Sequence, residues 1–321
     1  MDWKHEFVLV TGGAGFLGSH LVERLLKHGA HVRVADNLER FGFDNLRHLE
    51  GRIDFQQLDL RVYPECESAM ENVTVVFNLA AKVTGIEYNR FHHEDMFEQN
   101  MLLQMYPLKA AAKNKRVKKF VQVSTACIYP HDAIIPTPES EGDRGTPEPT
   151  NEGYGWAKRM GEYLARYYSK DMPTVVVRFF NAIGPRDHYD DATSHVVPAI
   201  IKRVFKNPAV IAWGSGQQTR SFVDARDLAK GLMLLAEKVD TFDIVNIGHG
   251  REITISDLIR RIQELCGTQK PVLLDKGKPD GYMRRACDTT KLQSYTGWEP
   301  EISLDQSLQD MIEDYRRRYE K

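Results

Sequence analysis

A doubly wound parallel α/β sheet with a smaller, discontinuous second lobe is the fold class this sequence predicts. Two observations carry it. Through the first half, short apolar runs alternate with amphipathic segments of helical period, the pattern of parallel strands covered by helices. At 321 residues the chain can also bury a sizeable core and append a second lobe.

The elements follow in order. "FVLVTG" is a strand and Phe16 to Lys27 a helix; "AHVRVAD", "IDFQQLDL" and "VTVVFNLAA" are strands; a helix covers about Met96 to Lys113, and "KKFVQVST" is the next strand. Between Pro130 and Asn151 the chain turns rich in Pro, Glu, Gly and Thr, a long loop of the kind that carries function in compact domains. A helix then holds Tyr154 to Tyr168, followed by the strand "TVVVRFFN". After Asn181 regularity drops, with a helix from about Val196 to Lys206, the strand "VIAW" and the turn "GSGQQ". Helix Ala225 to Lys238 and strand "DIVNIG" return to the main sheet, and "ITISDLIRRIQELCG" and "ISLDQSLQDMIEDYRRRYE" are amphipathic helices with Ser or Asp near their starts. Residues 1–180 with 224–247 are thus expected to form the sheet domain, and 181–223 with 248–321 the second lobe.

Composition narrows the partners. A formal charge of −2 with 27% charged residues argues against a nucleic-acid binder, and the basic run Lys113 to Lys119 reads as a helix cap or solvated surface. Cys66, Cys127, Cys266 and Cys287 are widely separated and form no C-x-x-C pair, which disfavours a metal site and a disulfide framework and points to a reducing compartment. "MDWKHEFVLVTGG" runs straight into a strand without the apolar core of a signal peptide, and no stretch reaches membrane-spanning length. A cytoplasmic address and no membrane partner are expected, which would leave the glycosylation spacing "NVT" at Asn72 idle.

"VTGGAGFLGSHL" places Gly12, Gly15 and Gly18 after a strand and at the start of a helix opened by Phe16 and Leu17. Such glycines permit a tight turn and close approach of backbone N–H groups to a pyrophosphate, at a helix end of partial positive charge. Asp36, followed by Asn37, ends the next strand, where a carboxylate can bond both adenosine ribose hydroxyls and repel a 2′-phosphate. NAD is therefore favoured over NADP; the alternative is an acid that merely opens the "DNLER" turn. "YGWAK" sets Tyr154 and Lys158 four apart on one helical face. An ammonium and a nicotinamide cation nearby would lower the phenol and make Tyr154 a base.

The G-x-x-G-x-x-G spacing, "NLAAK" and "YGWAK" together resemble the extended short-chain dehydrogenases. That resemblance implies a Rossmann-type domain, with Asp59 and Leu60 near the adenine, Leu79, Ala80, Ala81 and Lys82 near the nicotinamide ribose, Asn100 on the following helix, and Thr125 bonding the substrate oxygen. "RFFNAIGPRD", "WGSGQQTRSFVDARDLAKG" and "KPDGYMRRACDTTKLQSYTGWEP" are similar to the nucleotide-sugar epimerase and dehydratase branch, so the likeness covers essentially the whole chain. It implies a nucleoside diphosphate sugar held by Thr84, Gly85, Asn181, Val196, Lys202, Trp213, Arg220 and one of Arg284 or Arg285; the arginine fork suits a diphosphate. It also implies a homodimer through the helices of Asn100 and Tyr154, where Met96, Met101, Leu102, Met105, Met160 and Leu164 serve either that bundle or the core.

"STACIYP" lacks the acidic pair of the dehydratases and resembles two narrower groups, the GDP-mannose 3,5-epimerases and the GDP-fucose synthases, which share a cysteine at the position of Cys127. "LAAKVTGI", "GTPEPTNEGYGWAK" and "GPRDHYDDATSHVVPAII" extend the match, and the last aligns His195 with the acid of the GDP-fucose synthases; Thr84 departs from the glycine of both groups. A C4 ketone makes protons on C3 and C5 removable, and inversion then needs a base and an acid on opposite faces, roles the resemblance assigns to Cys127 and His195. The expected activity is redox-neutral 3,5-epimerisation of a GDP-hexose with bound NAD. Alternatives are a GDP-4-keto-6-deoxyhexose epimerase-reductase, a 4-epimerase in which Cys127 is a small packing residue, and a non-catalytic dinucleotide sensor. No metal is expected.

Overall fold

The computed structural model describes residues 1–190, 194–277 and 282–320; residues 191–193 of the "GPRDHYDDATSH" stretch and 278–281 ahead of Tyr282 lie outside them. The first half runs β1 (Phe7–Thr11), α1 (Phe16–Lys27), β2 (His31–Asp36), β3 (Asp54–Gln57), α2 (Tyr63–Ala69), β4 (Val75–Asn78), α3 (Ile86–Phe91), α4 (His93–Lys113) and β5 (Lys119–Thr125). After the long loop come α5 (Glu152–Tyr168), β6 (Thr174–Phe179), β7 (Ala182–Ile183), α6 (Val196–Lys206), β8 (Val210–Trp213), β9 (Thr219–Ser221), β10 (Val223–Asp224), α7 (Ala225–Lys238) and β11 (Asp243–Ile247). The chain ends with β12 (Glu252–Thr254), α8 (Ile255–Cys266), β13 (Val272–Asp275), α9 (Thr290–Thr296) and α10 (Leu304–Tyr319).

Seven strands form one parallel sheet in the order β11-β6-β5-β4-β1-β2-β3. Every residue of β4 and β6 is buried, as central strands covered on both faces require. The winding reverses between β1 and β4, so loops leaving their carboxyl ends diverge and open a crevice there. β11 joins the sheet beside β6, as its sequence predicts. Helices α4 and α5 begin at His93 and Glu152, a little ahead of the predicted starts.

Buried polar groups fix the crevice floor. Thr11 Oγ1 donates to Asn78 Oδ1 (2.6 Å) and accepts from the Leu79 and Ala80 N–H groups (3.0 and 3.1 Å). Asn78 Nδ2 donates to Gln122 Oε1 (3.1 Å), Gln122 Nε2 to Gln104 Oε1 (3.1 Å), and Gln104 Nε2 to the Ala157 carbonyl on α5 (2.8 Å). Pro107, inside α4, has no N–H for the Leu103 carbonyl, and Asn78 Nδ2 donates to it instead at 3.2 Å. The sheet end, α4 and α5 are thus bonded into one piece.

The basic run meets its expectation at Lys113, which closes α4, and at exposed Lys115, Arg116 and Lys118, and departs from it at one residue. Lys119 is buried at the start of β5 with Nζ donating to the Val239 carbonyl, because a central strand leaves its first residue no route to solvent.

A second apolar cluster, with Ile200, Ile201, Leu258, Ile259, Leu308 and Met311, lies under α6, α8 and α10, while Leu292 and Trp298 near α9 pack into the main core. Pairs β7–β10 and β8–β13 are parallel and β9–β12 antiparallel. All four cysteines are free thiols. Among the described residues no helix is long and apolar enough to cross a membrane, and no cluster of His, Cys, Asp or Glu could hold a metal ion.

Candidate active site

The crevice at the switch point is a cleft of ≈ 520 Å³. Gly12, Gly15, Phe16, Leu17 and Gly18 line one wall. Gly12 has φ +66°, and a Cβ there would stand 2.9 Å from the Ala80 Cα; a Cβ on Gly18 would collide with the Gly12 carbonyl. Both positions therefore require glycine, and the space left open is backbone-lined. Gly15 caps α1 without a side-chain bond, so first-turn N–H groups remain available to an anion.

Asp36, Asn37, Asp59 and Leu60 line the far end of the cleft. The Asp36 carboxylate accepts from the Ala14 and Leu38 N–H groups at 3.0 and 2.9 Å; burial pushes its carboxyl up and those two bonds pull it down, with burial the larger. Each oxygen still has a free lone pair for a ribose hydroxyl. The Asp59 carboxylate is held low by Arg61, whose Nη2 lies 2.7 Å away. Leu79, Ala80, Ala81, Lys82 and Thr84 line the β4 side. Asn100 is absent from the wall: fully buried, it accepts from the Lys82 N–H and donates to the Lys82 carbonyl, both at 3.1 Å. It shapes the cleft through that backbone.

Thr125, Cys127, Tyr154 and Lys158, the residues expected to carry the chemistry, gather near the end of β5. Thr125 caps the next turn, its Oγ1 accepting from the Cys127 N–H at 3.2 Å, and its hydroxyl is a neighbour of Tyr154 that favours the ionised phenol. Lys158, one turn further along α5, donates from Nζ to the Val123 carbonyl at 3.1 Å and sits 5.8 Å from the Tyr154 ring centroid. Burial pushes Lys158 down to about 8, against the pull of Glu162. Tyr154 lies above the ordinary phenol range because burial, and then Cys127, outweigh the Thr125 hydroxyl and the Arg40 cation. The chain's own groups therefore do not produce the lowered phenol expected of the Tyr154 and Lys158 pair, and the cation acting on Tyr154 is Arg40.

Cys127, half-buried, faces a second cluster. Arg285 stacks on Tyr282, 4.3 Å from the ring centroid, and pairs with Glu148 at 3.3 Å. Burial opposes its charge, yet Cys127, Glu148 and Tyr282 hold the guanidinium protonated. Arg284 instead turns outward to Glu252 at 2.7 Å, so Arg285 is the arginine the fold brings to Cys127. A polar chain runs on from Glu148 to Asn151 (2.9 Å), from Asn151 to Asn89 (2.7 Å), and to the Thr84 hydroxyl. Gly85 caps α3 beside it.

Remaining predicted residues are dispersed. His195 caps α6 and lines the cleft, with Nδ1 3.5 Å from Asp187; it shares no hydrogen bond with Cys127. Val196 is exposed at the first turn of α6. Asn181 donates to the Ser221 carbonyl at 2.9 Å and Arg220 to the Thr219 and Tyr282 carbonyls, both at 2.7 Å. Lys202 on α6 and Trp213 on β8 are half-buried and, like Asn181 and Arg220, lie off the cleft wall. Sequence reasoning missed Arg40, Arg61, Asp187 and Glu148; Arg40 and Asp187 sat in view, in "DNLER" and "GPRD".

A switch-point cleft, a glycine cradle at a helix start and a buried acid at the next strand end define the Rossmann class of dinucleotide-binding proteins. Residues 8–248 match the NAD dependent epimerase/dehydratase family, and the chain belongs to it, with NAD as cofactor. The GDP-L-fucose synthase of Escherichia coli (strain K12) is 33% identical over 319 residues, 94% of each chain. UDP-glucuronic acid decarboxylase 5 of Arabidopsis thaliana is 32% identical over 97% of this chain and 89% of its own. The UDP-glucose 4-epimerase of Thermotoga maritima, solved with UDP-glucose, superposes with a TM-score of 0.87 at 29% identity, covering 97% of this chain and 99% of that one.

Proposed function

We propose that this enzyme is an NAD-dependent nucleotide-sugar epimerase that inverts C3 and C5 of a GDP-hexose through a transient C4 ketone. The observation that carries the reading is the convergence of Thr125, Tyr154 and Cys127 at one strand end, with the Arg285 cation in electrostatic reach of Cys127. Bound on the glycine cradle and Asp36, NAD supplies the oxidation that makes the ketone and the reduction that removes it. Tyr154, beside Thr125, would take the proton of the C4 hydroxyl as the ketone forms and return it afterwards, once the positive charge of the bound dinucleotide has lowered a phenol that the chain's own groups leave high. Cys127 takes the proton from the carbon beside the ketone, with the fixed positive charge of Arg285 in electrostatic reach. His195, half-exposed and able to recharge from water, delivers a proton to the opposite face. Asn181, Arg220 and Arg285 hold the diphosphate and sugar. Half-buried Met101, Leu102, Met105, Met160 and Leu164 on α4 and α5 suit a homodimer face, whereas Met96 belongs to the core. A reducing, cytoplasmic setting suits the free thiols.

A second reading has specific support: the 33% identical relative is a GDP-L-fucose synthase, and His195 fits it. The ketone would then arrive with the substrate and be reduced once, making the enzyme an epimerase-reductase. Turnover of GDP-mannose in deuterated water tests the proposal. Expected are deuterium at C3 and C5, no net consumption of reduced dinucleotide, and loss of deuterium uptake in Cys127→Ala. Protium-only product, or uptake unchanged in Cys127→Ala, overturns it; turnover confined to GDP-4-keto-6-deoxymannose with net NADPH oxidation selects the second reading.

A further inference from the structure

Asp187 has no part in the chemistry above, yet its placement is unusual for a carboxylate. It is 1% exposed, in the segment between β7 and α6. Oδ1 accepts from the His188 N–H at 2.7 Å, which fixes the carboxylate plane. Oδ2 is buried without a hydrogen bond and lies 3.5 Å from His195 Nδ1. A buried carboxylate oxygen lacking a donor is costly, so this position needs an occupant that supplies one. Arg40, His188 and Tyr189 also interact with Asp187 electrostatically, but His195 is the group whose ring nitrogen stands against the vacant oxygen.

From this geometry we infer that Asp187 is a positioning residue for His195, accepting Nδ1–H so that Nε2 is the atom presented to the cleft. His195 is free to be oriented in this way: its side chain is 51% exposed, its backbone is fixed as the cap of α6, and Nε2 has no hydrogen-bond partner among the described residues. An imidazole bonded at Nδ1 has its tautomer chosen for it: neutral, it keeps a lone pair on Nε2; protonated, it carries on Nε2 the proton it can deliver. The 3.5 Å separation is at the long end for such a bond, as catalytic contacts without substrate commonly are. Both residues line the same cleft, so closure of substrate against that wall would shorten it. The inference rests on the proposed role of His195 only for its purpose, since the pairing itself requires no substrate.

The test is a direct reading of the tautomer. With histidine labelled by nitrogen-15, long-range proton correlation distinguishes Nδ1–H from Nε2–H for each of the 11 histidines, and His195→Gln identifies the signals of His195 by their loss. With the ring neutral, wild-type His195 is expected as Nδ1–H, opposite to the form a free imidazole side chain prefers. Asp187→Ala is expected to return it to Nε2–H. Nε2–H in the wild type overturns the pairing, and this reading relies only on His195→Gln, a change at a half-exposed side chain, for its assignment; Nδ1–H that persists in Asp187→Ala overturns it equally. Failure of the acid role is seen separately, as unimpaired epimerisation by His195→Gln.

Discussion

Glu162 on α5 and Arg178 on β6 form a buried ion pair, with side chains 4% and 1% exposed. Glu162 accepts from Arg178 Nε and Nη2 at 3.0 and 2.7 Å and from the Ser124 hydroxyl at 2.5 Å; Arg178 Nη1 donates to the Tyr129 hydroxyl and the Glu139 carbonyl. Glu162→Gln keeps the shape and leaves the guanidinium buried without its counter-charge, a loss of about 3–5 kcal/mol. With an unfolding entropy of ~2.1 cal/mol/K per residue, 321 residues give about 0.7 kcal/mol per degree, so Tm is expected to fall by about 4–7 °C. The same change strips Lys158 of the carboxylate that resists its lowering to about 8, so the pH dependence of kcat is expected to move toward lower pH. Differential scanning fluorimetry reads the first effect and a pH–rate profile the second. The double variant Glu162→Leu with Arg178→Met is expected to melt above Glu162→Gln, because it leaves no unpaired charge. A Glu162→Gln protein melting within about 1 °C of wild type, or a double variant melting lower still, refutes this account of the pair.

Two further outcomes are expected. Asp36→Ala removes a carboxylate poised for ribose hydroxyls, so calorimetry is expected to show NAD binding weakened about tenfold to a hundredfold, from ~1.5–3 kcal/mol of charge-assisted bonding, with NADP affected less; an unchanged preference sinks that role. Lys158 sits at about 8 rather than the ordinary 10.5, so the folded state disfavours its charged form at a cost of about 3 kcal/mol, present in full below pH 8 and shed as pH rises through 10.5. Lys158→Met lacks that cost: its stability relative to wild type is expected to be greatest below pH 8 and to decline toward pH 10.5. A pH-independent gap between the two melting temperatures contradicts it.

What was legible in the sequence was local. Strand period, the glycine spacing and the Tyr154 and Lys158 pair are short-range patterns, and the structure places them together. What was not legible are pairings across the chain: Arg178 with Glu162, Arg285 with Glu148, and Asp187 with His195 depend on which side chains the sheet and second lobe bring face to face. Arg284 and Arg285 are indistinguishable in sequence; β9 and the segment beside it turn one toward Glu252 and the other toward Cys127. Lys119 looked like surface because its neighbours are basic, but strand position overrode composition. Asn100 is expected at the cofactor from its place in the sequence, whereas the structure bonds it to the Lys82 backbone behind the cleft wall.

The links from Thr11 through Asn78, Gln122 and Gln104 to the Ala157 carbonyl are a hydroxyl, three carboxamides and a peptide, none of which titrates in water. The coupling between the dinucleotide wall and the helix of Tyr154 is therefore electrically silent. None of its members changes charge when Tyr154, Lys158, Cys127 or His195 does. Along this one path the frame gains and loses no proton, whatever the pH does to the carboxylates and cations elsewhere around the site.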